Sequence, residues 1–108
     1  MGGENLAIQV VFWKVNPAIS PEVIAKAAAS IMQSGAYPVK GCEILGWYMC
    51  PGGRGVSILD YKGDEGDAAY RNWLTWVEKL PGIFVEFETM PAVSALEAVQ
   101  LVLSKEKK

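Results

Sequence analysis

"CEILGWYMCPGGRGVSILDY" (42–61) decides the fold. Two runs rich in β-branched and aromatic residues flank Pro51-Gly52-Gly53-Arg54. Four residues with two glycines between such runs predict a hairpin, with strands over 42–50 and 55–61. The same glycines invite a phosphate-cradle reading, which the spacing rejects. A P-loop ends in Gly-Lys-Ser/Thr and enters a helix, so that backbone amides hold the phosphate. Here Arg54 and a strand follow.

Outward from the hairpin, the periodicities alternate. "LAIQVVFWKV" (6–15) reads as a strand, ended by Asn16-Pro17. Ser20 is placed to cap a helix with Pro21 at its first position. Val23, Ile24, Ala27, Ala28, Ile31 and Met32 then recur at helical spacing, up to Ser34-Gly35. After the hairpin comes a polar loop (62–67), in which Asp64 or Asp67 is available as a cap. A second helix carries Ala69, Tyr70, Trp73, Leu74, Val77 and Leu80 on its apolar face, and Trp73 is expected in the core. Pro81-Gly82 stops it. "GIFVEFETM" (82–90) is a fourth strand, and 94–105 reads as a terminal helix with Leu96, Val99, Val102 and Leu103 on one side. The order is βαββαβ plus a helix. Right-handed crossovers turn it into an α+β, ferredoxin-like domain with a four-stranded antiparallel sheet and two helices on one face. At 108 residues, 1–108 is expected to be one domain.

The sheet has an apolar surplus. Pairing Cys50 with Gly55 across a four-residue turn puts Leu45, Trp47, Met49, Val56 and Ile58 on one face, and Ile44, Tyr48, Leu59 and Tyr61 on the other. Both faces are apolar, yet two helices cover only one. An uncovered antiparallel face should alternate apolar with polar, and exposed apolar surface of that size marks an interaction site. A second copy of the chain, the terminal helix or a ligand must meet it. The expected contact residues on this register are Val11, Trp13, Leu45, Trp47 and Met49.

Composition excludes several chemistries. The chain has no histidine, which removes Ser-His-Asp and Cys-His machinery, histidine-ligated haem and ordinary zinc sites. Cys42 and Cys50, eight residues apart in one strand, are separated by about 26 Å and cannot bridge each other. Asp64, Glu65 and Asp67 lack the other ligands of a calcium loop, so no metal or cofactor is expected. "RGVSILDY" follows the third-strand pattern of the RNA-recognition motif at Arg54, Gly55 and Tyr61. The base-stacking positions, however, are Val56 and Ile58, which offer no π-face, and the net charge is −2. No nucleic-acid partner is expected. The N-terminal apolar run is short and no stretch reaches the ~20 apolar residues of a membrane span, so the expectation is a soluble cytoplasmic protein. The carboxylates Asp60, Glu86 and Glu88 remain as candidate acids or bases wherever a partner encloses them. Glu86 and Glu88 are read on one strand face with Phe84 and Met90. The plainer reading of both is charge on a sheet edge.

With these elements in place, the chain resembles the dimeric α+β barrels, and within them a small uncharacterised branch of about this length. The stretches that carry the likeness are "ILGWY" (44–48), "GVSILDY" (55–61), "WLTWV" (73–77) and "VEFETMPAV" (85–93), across roughly residues 6–100. The resemblance implies a homodimer whose sheets face each other around a cavity. Some of its relatives are cofactor-independent monooxygenases or haem-degrading enzymes, and others bind ligands. Many of the enzymes use a histidine that this chain lacks, so no catalytic residue is carried over. Two functions follow as expectations: binding of a small apolar or aromatic molecule between sheets, or cofactor-independent oxygenation of such a molecule with Asp60, Glu86 or Glu88 as base. A purely structural dimer is the third.

Overall fold

A computed structural model describes residues 8–62 and 67–106. Its elements run β1 (Ile8–Val15), α1 (Pro21–Ser34), β2 (Glu43–Cys50), β3 (Arg54–Asp60), α2 (Ala68–Lys79), β4 (Phe84–Ala92) and α3 (Ala95–Glu106). All pairings are antiparallel and the strand order is β2-β3-β1-β4, the ferredoxin-like arrangement. α1 starts as its sequence dictates: the Ser20 hydroxyl accepts from the Val23 amide at 3.2 Å, and Pro21 follows. α2 departs from expectation. Asp67 stands at the cap position without a side-chain cap bond, and Asp64 lies outside the described residues. β4 runs two residues beyond its expected end. It is an edge strand, where the missing N–H of Pro91 costs no central ladder bond.

The hairpin corrects the expected register. Arg54, not Gly55, pairs with Cys50, so the turn is three residues, 51–53. Gly52 (φ 92°) and Gly53 (φ 78°) both adopt the left-handed conformation such a turn demands. A one-residue slip exchanges the faces of a strand. Trp47 therefore sits opposite Ser57, Met49 opposite Gly55, and Tyr48 opposite Val56. The ladder shifts between Ile44 and Gly46, leaving Leu45 as the extra residue of a bulge, exposed and on neither regular row. A second shift, between Lys14 and Val15, makes Val85 the extra residue of β4. Phe84 is thereby turned to the side of Phe87, away from Glu86, Glu88 and Met90.

One face of the sheet carries Val11, Trp13, Trp47, Met49, Ser57, Leu59 and Phe87. α1 and α2 lie over it. The buried core forms there from Val11, Leu59, Tyr61 and Ala68, the last with no exposed surface. This is the reverse of the assignment expected for Val11, Trp13, Trp47 and Met49, which belong to the covered face. The open face consists of cross-strand rows: Tyr48–Val56–Phe12–Glu88 and Gly46–Ile58–Val10–Met90. Phe12 remains 45% and Tyr48 60% exposed. α3 does not cover them. Every described side chain of α3 except that of Ala98 is exposed, and Leu96 is 80% so.

Candidate functional site

Between the sheet and its two helices lies a cavity of about 110 Å³, partly open at its edge. The sheet supplies its floor with Val11, Trp13, Trp47, Ser57, Leu59 and Phe87. α1 contributes Ile24 and Ala28, and α2 contributes Ala69, Asn72 and Trp76. The α2 face differs from the expected stripe. Ala68, Ala69, Asn72 and Trp76 turn inward, Tyr70 is exposed, and Trp73 is half-buried beside a shallower groove between α2 and β4. A polar residue at helical spacing between Ala69 and Trp76 rotates the apparent apolar stripe away from the true one.

Asn72 explains its own burial. Its Oδ1 accepts from the Val39 amide at 3.1 Å and its Nδ2 donates to Cys42 Sγ at 3.4 Å, so one amide ties the segment before β2 to α2. It also lies beside the Tyr61 hydroxyl, where it partly offsets the rise in pKa that burial causes. A buried amide with these partners is satisfied.

Two aromatic groups wall the cavity. Tyr37, Trp47 and Trp76 are mutual neighbours, with ring centroids 5.2 to 5.9 Å apart and edge-tilted planes. Across the floor, Phe84 stands 5.9 Å from Trp13 and 5.1 Å from Phe87. Ser57 joins the groups: its Oγ accepts from Trp13 Nε1 at 3.2 Å, and it lies beside the Tyr37 hydroxyl. Burial pushes the Tyr37 phenol up to about 12, against a smaller lowering by Ser57, so it is protonated at neutral pH. Burial also raises Tyr61 and the Cys42 thiol.

No charged side chain lines this cavity among the described residues. Glu86 and Glu88 lie on the open face; both are exposed, and Glu86 forms a 2.9 Å ion pair with Arg54. Asp60 is buried, with Oδ1 accepting from the Lys62 amide at 2.8 Å, but it is not on the cavity wall. Of the eight residues singled out from sequence, Val11, Trp13, Trp47 and Met49 meet at the cavity; Leu45, Asp60, Glu86 and Glu88 do not. Tyr37, Ser57, Asn72 and Phe87 were not among them. The signal for Ser57 and Asn72 was a lone polar residue on an otherwise apolar row.

Among the described residues no cluster of cysteine and carboxylate side chains is arranged to hold a metal ion. Among the described residues no helix is long and apolar enough to cross a membrane.

No protein-family model and no curated protein matches the chain. Solved structures do. A provisionally assigned antibiotic biosynthesis monooxygenase from Nitrosomonas europaea superposes with a TM-score of 0.54 at 15% identity, over 82% of this chain and 97% of that one. A NipSnap-family protein of unknown function from Agrobacterium tumefaciens gives a TM-score of 0.49 at 16% identity, over 83% of this chain and 90% of that one. At these identities the likeness to the Nitrosomonas protein establishes the ferredoxin-like α+β fold and nothing narrower.

Proposed function

We propose that this chain binds a small, neutral, apolar or aromatic molecule in the cavity between the sheet and its two helices. One observation carries the reading: a preformed cavity with seven aromatic side chains on its wall and, among the described residues, no charged group. Such a site takes up apolar surface and rejects ions, because a charge moved there loses its hydration without a partner. The site we propose lies inside a single chain, whereas the resemblance implied one between two sheets.

The same wall disfavours the oxygenase alternative. A base must reach the proton it removes. Asp60, Glu86 and Glu88 are not at the cavity, and the Tyr37 phenol stays protonated at neutral pH. No cofactor is proposed.

The assembly we infer is a homodimer through the open face. Its support is the pair of apolar surfaces that the chain leaves uncovered: the Phe12–Tyr48 side of the sheet and the α3 stripe of Leu96, Val99 and Leu103. A two-fold axis lets one such patch cover its copy.

Titration with methylenecyclohexane, a neutral hydrocarbon ring, followed by amide NMR tests the site. Saturable shifts at residues 57, 59, 72 and 76 are expected, with none from cyclohexanecarboxylate. Unmoved amides with the hydrocarbon, or equal shifts with the carboxylate, would overturn the reading.

A further inference from the structure

The cavity floor carries more hydroxyl hydrogens than acceptors. Trp13 Nε1–H donates to Ser57 Oγ at 3.2 Å, and the indole nitrogen donates only, so this contact has a fixed direction. The Ser57 hydrogen is therefore not spent on Trp13. The Tyr37 hydroxyl, beside Ser57, brings a hydrogen of its own. Even where one of these hydroxyls donates to the other, one hydrogen remains, and no acceptor for it is found among the described residues. Ser57 is 3% exposed and Tyr37 8%, and both stand on the cavity wall. The neighbouring Asn72 amide is occupied by Val39 and Cys42.

We propose that Ser57 and Tyr37 present this hydrogen to the bound molecule, and that the molecule is a neutral, single-ring compound bearing a hydrogen-bond-accepting oxygen such as a carbonyl. The proposal rests on the cavity being a binding site. Size and chemistry then select the class. An apolar cavity of about 150 Å³ holds a benzene-sized guest, so about 110 Å³ with an open edge suits one ring and not a fused system. Among the described residues the wall offers no acceptor charge for a cationic ligand and no cation for an anionic one. In an apolar cavity, a carbonyl without a donor loses its water bonds uncompensated; with a donor it exchanges them. Ser57 and Tyr37 are therefore the residues that set specificity, while the rings supply the apolar contact.

Cyclohexanone and methylenecyclohexane differ only in C=O against C=CH₂ and make the test. In the native protein cyclohexanone is expected to bind at least as tightly as the hydrocarbon. Its bound carbonyl stretch, read by infrared difference spectroscopy, is expected at lower frequency than in hexane. Replacing Ser57→Val together with Tyr37→Phe removes both hydroxyls and sets a methyl against the indole N–H. The double variant should prefer the hydrocarbon by about tenfold or more and return the carbonyl stretch toward its hexane value. Native protein that favours the hydrocarbon tenfold, or an unshifted carbonyl band, would overturn the inference while leaving the cavity as a binding site. Failure of both rings to bind would remove the site itself. Should the double variant not fold, the native ligand pair and the infrared band still decide.

Discussion

The indole of Trp13 occupies the space that a side chain at Gly55 would need. The two residues are cross-strand partners, and a β-carbon on Gly55 would collide with Trp13 Cζ2. The glycine of the Arg-Gly-Val run thus serves the cavity floor. It lets the ring lie across β3, where its N–H reaches Ser57.

Gly55→Ala should push the indole out of that position. Overpacking of this kind costs about 1–3 kcal/mol, read as a lower urea midpoint, and methylenecyclohexane affinity should fall with it. Unchanged stability and affinity would mean that Trp13 is free to move.

Tyr37 makes stability depend on alkaline pH. Its folded value of about 12 exceeds the ordinary 10, so between these values the unfolded chain loses the phenolic proton while the folded chain keeps it. Stability from this group is complete below about pH 10 and is lost as pH rises toward 12. The full loss is roughly 2–3 kcal/mol. Denaturation at pH 9 and 11.5 should show a steeper decline for the native protein than for Tyr37→Phe.

The edge carboxylates should be dispensable for binding. Glu86→Gln breaks an exposed ion pair with Arg54, worth at most about 1 kcal/mol, and Glu88→Gln breaks none that is described. Calorimetric titration of both variants with methylenecyclohexane should match the native protein. A tenfold loss would place a carboxylate at the ligand.

Light scattering at micromolar concentration should return twice the 11.7 kDa chain mass. Phe12→Glu and Tyr48→Glu, on the open face, should reduce it toward one copy. Burial of each such side chain contributes roughly 1.5–3 kcal/mol. A native mass near 11.7 kDa would remove the dimer.

The element order was readable because each element carries its own period: two in the strands, 3.6 in α1, with Ser20-Pro21 marking the start of α1. The faces were not. They depend on whether the chain turns at Gly53 or Arg54, a difference of one residue that β-propensity does not register. Two bulges then move Leu45 and Val85 off their rows. The cavity was half-visible for the same reason. Trp13, Trp47 and Met49 stood out as large apolar residues, but Ser57 and Asn72 acquire meaning only from partners 44 and 30 residues away.

Loop tips are where chains ordinarily tolerate insertions best. The tip at 51–53 does not share that tolerance. One residue added between Gly52 and Gly53 would keep both strands and their composition. It would also set β2 and β3 out of step, so that Trp47 could no longer share a face with Ser57. The shape of the cavity is encoded in the length of a turn whose own residues do not line it, and a homologue with a longer turn is expected to hold a different guest or none.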